Sequence, residues 1–518
     1  MISAYTGTAV RAAEQPLLEA GHGPALMQRA AYGLYAACVR ELLGKRGGLY
    51  GARVTVLAGA GNNGADALYA GARLASRGAA VTAVLVSDAA HPQALAAARA
   101  QGARVLVSAS DPDACIRVSA GSDLVIDGVL GTGGKGGLRG DAALLARSLA
   151  RESEDRTGGG PLIVACDLPS GVDADTGRAD GEHFTADLTV TFGAPKIGLM
   201  AGPGALAAGR IEPVDIGLGT PPGPALHRLE QADLARLLSL PGKTDHKYTR
   251  GVLGIAAGSA TYPGAAVLAT GAALATGVGM VRYLGPETVC RLINSAHPEA
   301  VCGTDSVPVT HVQAWLAGPG AGTDEDQRRR ALDAMSSGLP AVIDADAIGS
   351  VEPGLGPQVV LTPHAGELTA LLSRLGDTVT RQEIEADPLR FARRGAELTG
   401  ATVLLKGWAT ITAAPTGETY SQADATPWLA AVGSGDALSG ILGALLATDR
   451  LSQPGEQQPP RGHFAALAAA AAGIHGRAGA LAALAGPVEP SRLPGAVRAV
   501  LRQMLADREG PGFAVNAP

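Results

Sequence analysis

Two glycine-rich segments, each containing a carboxylate, carry the chemistry in this chain: GAGNNGAD at 59–66 and VGSGDALSG at 432–440, with LTPHAGEL at 361–368 upstream of the second. Each reads as a strand-to-helix turn where bare backbone N–H groups stand beside an acid. Such a turn suits a phosphate or diphosphate together with an acid–base group. Two of them, in different halves, imply two active sites on one polypeptide.

GAGNNG matches GxGxxG after a strand, with Asp88 near the end of the next strand. Alone this is a weak dinucleotide fingerprint. Here Asn62 and Asn63 fill the middle and Asp66 follows, and side-chain amides suit oxygen ligation and substrate hydrogen bonding. GTGGKGG at 131–137 has no Ser or Thr after Lys135, so it is not a phosphate loop of the nucleotide-hydrolase kind. Asp127 and Asp167 both close apolar strands, and strand ends in a parallel sheet line the ligand crevice. Asn63, Asp127 and Ser170 could converge as oxygen ligands, which favours a hard cation. One such Asp alone would more simply cap a turn; the ordered set argues otherwise.

In the second segment Gly433-Ser434-Gly435-Asp436 opens a helix, offering unpaired N–H groups to an anion. Asp436 is then placed to act on a hydroxyl next to a phosphate. Lys406-Gly407 ends the strand TVLLKG, and His364 follows Thr362-Pro363 where another strand ends. The plain alternatives are a loop histidine for His364 and a dipole-stabilised helix acid for Asp436.

The elements that position these groups form an α/β protein. Strands such as RVTVLAG, DLVIDGVLG and GPLIVACDLP alternate with Ala-rich helical stretches, the pattern of parallel sheets. At 518 residues two or three domains are expected. Residues 1–216 read as one unit, 217–228 as a Pro/Gly-rich linker, 229–506 as a second unit and 507–518 as a flexible tail. Residues 251–281 carry no charge, yet Gly, Ala and Pro263 make a buried strand–turn–helix the expectation rather than a membrane span. A net charge of −6 with interspersed signs offers neither a nucleic-acid footprint nor a membrane face. The five cysteines include no CxxC, and the N-terminus has no signal-peptide pattern, so a cytoplasmic protein with reduced thiols is expected.

Two resemblances add to this reading. Residues 1–216 resemble the NAD(P)H-hydrate epimerase family, in which a GNNGGDG turn, a strand-end Asp, a GTG…R loop and a D-x-P-S-G segment follow in this order. The resemblance implies a Rossmann-like parallel-sheet domain holding a potassium ion through Asn63, Asp127 and Ser170. It implies substrate contacts from Gly61, Asn62, Asn63, Gly64, Ala65 and Asp66, a nucleotide-wrapping loop with Gly131, Thr132, Gly133 and Leu138, and a contact from Asp167. Asp127 is the candidate acid–base residue. The chain departs from the pattern at Ala65 and Ala67, where the family has Gly.

Residues 246–506 resemble the ADP-dependent NAD(P)H-hydrate dehydratases of the ribokinase-like superfamily. The carriers are HKYTRGVLGIAAGS, VIDADAI, LTPHAGEL, LLKG and GSGDALSGILGALLA. Here the resemblance implies that Ala265, Gly322, His364 and Asp436 meet the hydrated nicotinamide nucleotide, and that Lys406, Gly407, Trp408, Ala409, Thr410 and Gly435 hold ADP, with Mg²⁺. Asp436 is the expected catalytic residue. Together the halves imply a homo-oligomeric repair enzyme that epimerises the R and S hydrates of NADH and NADPH and dehydrates the S form at the expense of ADP. The alternatives are a vitamin or sugar kinase, a catalytically dead nucleotide-binding scaffold and a Rossmann dehydrogenase. The fused N-terminal half disfavours the first, intact Asn63, Asp127 and Asp167 the second, and the paired asparagines the third.

Overall fold

The structure, a computed structural model, describes residues 1–87, 89–154, 160–452 and 458–509. Asp88 and most of the expected tail lie outside the described residues. The chain divides into two compact units, Ser3–Leu226 and Met1–Ile2 with His227–Pro518.

The N-terminal unit is built on a seven-stranded sheet in the order Arg104–Val107, Ala80–Leu85, Arg53–Ala58, Leu124–Gly128, Leu162–Cys166, Leu188–Phe192, Arg210–Val214. Every neighbouring pair is parallel. Segments such as LVIDG and LTVTF are buried throughout, as strands covered by helices on both faces must be. Strand order reverses between Arg53–Ala58 and Leu124–Gly128. That switch point opens a crevice at the C-terminal strand ends, with Leu57 paired to Asp127 and Asp127 to Ala165.

The C-terminal unit holds an eleven-stranded sheet. Seven strands are parallel, in the order Val301–Gly303, Met280–Leu284, Val252–Ala256, Ala314–Ala317, Ala341–Ile343, Val359–Leu361, Thr402–Leu405. An antiparallel hairpin, Thr410–Ala413 and Thr419–Gln422, extends it. Beyond the hairpin Leu226–Arg228 adds in parallel through His227 opposite Tyr420, so the end of the expected linker is a strand of this sheet. Helices Pro263–Thr276 and Ser434–Thr448 pack closely in the core. Among the described residues one helix, His463–Ala483, is long and apolar enough to cross a bilayer; most of it is buried inside this unit. The last helix, Leu493–Glu509, runs past the expected end at 506.

Candidate active sites

In the N-terminal unit, helix Asn62–Ser76 begins directly after strand Arg53–Ala58, with Gly61 at its N-cap and no side-chain cap. Asn62 and Asn63 therefore stand in the first helical turn, not in a loop. A Cβ at Gly64 would collide with the Gly59 carbonyl, so only glycine lets the helix start this close to the strand. Ala65 and Ala67 are fully buried core residues. Ala65 packs the helix onto the sheet. Leu138 is likewise a core residue; its N–H donates to the Glu182 carbonyl at 2.7 Å. Both were expected to touch substrate; with their side chains in the core, only their backbone groups are left to do so.

Asn63, Asp127 and Ser170 are gathered around the carbonyl of Leu130. Asn63 Nδ2 donates to it at 3.3 Å and to the Cys166 carbonyl at 2.6 Å. Ser170 Oγ lies 3.1 Å from the same carbonyl and donates to Asp127 Oδ1 at 2.6 Å. Asp127 Oδ2 accepts from the Ser170 N–H at 2.8 Å, and Oδ1 also accepts from the Val129 N–H at 3.2 Å. Asp127 has no exposed surface. Burial pushes its pKa up to about 6 against the pull of its Ser170 and Val129 bonds. It is absent from the neighbouring cavity wall. Both carboxylate oxygens of Asp127 are thus met by protein donors.

That cavity, about 150 Å³, is lined by Asn62, Asn63, Asp66, Thr132, Asp167 and Lys196, with Arg11 and Glu14 from helix Gly7–Glu19. Asp167 sits just past a strand end at φ +68°, a left-handed conformation that a non-glycine residue holds only under constraint. Its Oδ1 accepts from Phe192 N at 3.0 Å, from Thr191 Oγ1 at 3.2 Å and from Lys196 Nζ. Lys196, buried, also donates to Thr191 Oγ1 at 3.1 Å and to the Phe192 carbonyl at 3.0 Å. Asp66 is buried, and its Oδ1 has no partner. Burial first, then the Asp167 and Glu14 carboxylates, push its pKa well above the carboxylate range. Arg11 Nη1 donates to the Thr132 carbonyl at 3.0 Å. Gly131 packs on the Asn63 amide, where a Cβ would collide, while Gly133 faces open space. Sequence reasoning assigned no role to Lys196, Arg11 or Glu14; the only local signal was Lys196 in TFGAPKIGL just past a strand.

In the C-terminal unit the candidate residues lie at the C-terminal ends of adjacent parallel strands. Asp344 follows strand Ala341–Ile343 and is buried. Its Oδ1 accepts from Lys406 Nζ at 2.9 Å and from the Ala345 N–H at 2.9 Å, and its Oδ2 from Ser439 Oγ at 2.7 Å. Ala345 has φ +51°, so this strand end is also constrained. Lys406 lies 3.8 Å from Glu367. Burial opposes its charge, but Asp344 and Glu367 outweigh that and raise its pKa. His364 caps helix Ala365–Arg374 in a capping box: its Nδ1 accepts from the Glu367 N–H at 3.1 Å, and Glu367 Oε2 accepts from the His364 N–H at 2.8 Å. The imidazole is thus fixed, not a loose loop side chain.

Gly433, at φ +92°, caps helix Ser434–Thr448 and places Asp436 in its first turn. Burial and nearby Asp344 push Asp436 up to about 6, with Lys406 pulling the other way. A cavity of about 570 Å³ at this helix start is lined by His364, Lys406, Gly407, Trp408, Thr410, Ser434 and Gly435 among others; Asp436 is not on its wall but follows Gly435, which is. Ala409, between Trp408 and Thr410, has a buried side chain. His475, which sequence reasoning missed, also lines the cavity; its Nε2 lies 3.1 Å from Ser434 Oγ, and burial lowers its pKa to about 4. Ala265 and Gly322 gather instead around Tyr262, at the ends of strands Val252–Ala256 and Ala314–Ala317. The Gly322 N–H donates to Asp346 Oδ2 at 2.7 Å.

Comparison with known proteins matches these two sites to two families. A family model described as YjeF-related protein N-terminus matches residues 23–198, and one described as NAD(P)H-hydrate dehydratase matches 253–493. The bifunctional NAD(P)H-hydrate repair enzyme Nnr of Mycobacterium tuberculosis is 42% identical over 452 residues, 86% of this chain and 89% of that protein. An NAD(P)H-hydrate epimerase of Microbacterium testaceum is 47% identical over 220 residues, 42% of this chain and 79% of that one. The solved structure of an ADP/ATP-dependent NAD(P)H-hydrate dehydratase from Bacillus subtilis is 24% identical, with a TM-score of 0.47, over 54% of this chain and 98% of its own. With both halves matched in order and a relative this similar along most of the length, the chain belongs to the family of bifunctional NAD(P)H-hydrate repair enzymes.

Proposed function

We propose that the N-terminal unit interconverts the R and S hydrates of NADH and NADPH, and that the C-terminal unit dehydrates the S hydrate with ADP, releasing AMP and phosphate. The observation that carries the dehydratase half is Asp436. It is a half-buried acid at a helix N-terminus, held near pKa 6, beside Lys406 and next in sequence to Gly435, which lines a nucleotide-sized cavity. Near pH 7 it is ionised yet basic enough to take a hydroxyl proton.

Hydroxide is a poor leaving group, whereas phosphate leaves readily. The ring hydroxyl oxygen attacks the β-phosphorus of ADP, Asp436 takes its proton and AMP departs. The helix N-terminus and Lys406, whose Nζ would lie 3.8 Å from a Cβ at Gly435, stabilise the charge that develops on the phosphate. The phosphate then leaves carbon as the ring nitrogen donates its pair. Loss of a proton from the next carbon restores the dihydropyridine.

Two cations fit this reading. Asp127 is a buried carboxylate with no cationic side chain among its interaction partners; Ser170 Oγ donates to it, and that hydroxyl and the Asn63 amide meet on the Leu130 carbonyl. One charge in an all-oxygen set suits potassium, held by Asn63, Asp127 and Ser170, where it would balance the carboxylate. Among the described residues no group of three His, Cys, Asp or Glu forms a dedicated metal cage. Mg²⁺ is usually bound through substrate phosphates and one or two carboxylates, and Asp436 is the carboxylate placed to meet it. Mg²⁺ would supply electrostatic stabilisation to the transferred phosphoryl group. The five free, mostly buried cysteines fit a reducing cytoplasm.

The test is incubation of the purified protein with chemically hydrated NADH and either ADP or ATP, following recovery of reduced-nicotinamide absorbance. Recovery from both epimers is expected, clearly faster with ADP. No recovery would overturn the reading, and equal or faster recovery with ATP would overturn the ADP assignment.

A further inference from the structure

We infer that Asp66 is the proton-transferring residue of the epimerase site, a single carboxylic acid that serves the ring nitrogen with one oxygen and the ring hydroxyl with the other. The inference rests on the epimerase reading above and gives Asp66 the role first expected of Asp127.

The cavity beside helix Asn62–Ser76 contains several ionisable groups, most already committed. Lys196 directs its three protons to Asp167, Thr191 and the Phe192 carbonyl. Asp167 Oδ1 takes three donors in turn. Arg11 donates to the Thr132 carbonyl and to Thr8 Oγ1. Asp66 differs. It lines the same cavity, it is buried, and its Oδ1 meets no donor. A buried oxygen without a partner costs free energy, and native proteins rarely leave one except where a ligand meets it. The groups that face Asp66 are the Glu14 and Asp167 carboxylates, the Lys196 ammonium, the Arg11 guanidinium and the Cys166 thiol. Burial and the two carboxylates favour its protonated form.

That protonation state suits the chemistry. The hydrate carries its hydroxyl on a carbon bonded to the ring nitrogen, and inverting that carbon requires breaking one of its bonds. A neutral carboxyl gives its proton to the nitrogen while its other oxygen takes the hydroxyl proton. The carbon–nitrogen bond breaks with its pair going to nitrogen, and an aldehyde forms on the opened chain. The carboxyl finishes neutral, with the proton on its other oxygen. Rotation about the adjacent carbon–carbon bond presents the other aldehyde face, and the reverse step closes the ring with inverted configuration. No water, oxidant or reductant is consumed. Loss of the hydroxyl as water would instead need an acid on one ring face and a base on the other.

The test uses the full-length protein and mixed R and S hydrates of NADH. With ADP present, Asp66→Asn should consume the S form at the wild-type rate and leave the R form to spontaneous epimerisation, a loss of at least about 100-fold in enzymic epimerisation. Without ADP, wild-type protein given hydrate with ¹⁸O in the ring hydroxyl should epimerise it and retain the label. The wild-type epimerisation rate should fall as pH rises and the carboxyl loses its proton; this readout stands even if the variant fails to fold. An active wild type with an equally active Asp66→Asn variant, label washed out at each turnover, or a rate that falls as pH is lowered would each overturn the assignment. A wild-type protein that dehydrates but never epimerises would sink the epimerase reading itself.

Discussion

Replacing Asp436 by Asn should make the C-terminal unit more stable and catalytically dead at the same time. In the folded protein burial and Asp344 raise this carboxyl from 3.8 to about 6. The folded state therefore holds the proton more tightly than the unfolded chain. Stability associated with this group is complete below about pH 4 and declines as pH rises from about 4 to about 6. At 1.36 kcal/mol per pH unit, the ionised carboxylate costs the fold about 3 kcal/mol above that window. Against this, an ionised acid in the first turn of a helix gains roughly 0.3–1 kcal/mol from the dipole, which Asn forfeits. The larger effect wins, leaving Asp436→Asn ahead by about 2 kcal/mol at pH 7.5 and level with wild type near pH 4. For a unit of this size that is a Tm gain of roughly 3 °C. All three tryptophans, Trp315, Trp408 and Trp428, belong to the C-terminal unit, so their fluorescence reports its unfolding alone. Dehydratase turnover should fall by about 10²–10⁴ when the base is lost. A Tm difference that does not vary with pH would refute the electrostatic reasoning. Wild-type turnover in the variant would reduce Asp436 to a helix-terminal acid.

Asp127→Ala should abolish epimerisation, leave dehydration of the S epimer intact and, by orphaning the donors of Ser170 and Val129, destabilise the N-terminal unit by about 1–3 kcal/mol. Consumption of the R epimer faster than spontaneous epimerisation would place the cation site elsewhere. Lys406→Met strips the buried Asp344 of its cation; because Lys406 is partly exposed, the cost should fall below the 3–5 kcal/mol typical of a broken buried pair, at about 2–3 kcal/mol. Tryptophan fluorescence unfolding should register that loss and equilibrium binding should show weaker ADP affinity, whereas unchanged values for both would remove Lys406 from the nucleotide site.

What was legible in the sequence was local. The GNNG and GSGD segments announce helix starts against strand ends because glycine spacing and apolar runs are properties of a few consecutive residues. Parallel-sheet logic then puts Asp127, Asp167 and Lys406 at strand termini, where crevices form. The misreadings were local as well. Asn62 and Asn63 read as a turn because nothing in the sequence fixes where a helix begins within GAGNNGAD; the close approach of Gly64 to Gly59 decides it.

What only the tertiary structure decided is which charges meet, and which are left without partners. Lys406 and Asp344 are 62 positions apart, and Ser439 and Asp344 are 95 apart. They meet because strands Ala341–Ile343, Val359–Leu361 and Thr402–Leu405 lie side by side in one register, and register follows from packing across the whole sheet. Lys196 reaches Asp167 in the same way, across the paired strands Leu162–Cys166 and Leu188–Phe192. Sequence ranked Asp127 above Asp66, since both are acids near the same motif and a carboxyl's usefulness depends on its surroundings. The fold reverses the order: it surrounds Asp127 with donors and leaves an oxygen of Asp66 unpaired at the wall of a cavity. Desolvation and hydrogen-bond supply are set by neighbours distant in sequence, so the catalytic rank of these two acids exists only in the folded protein.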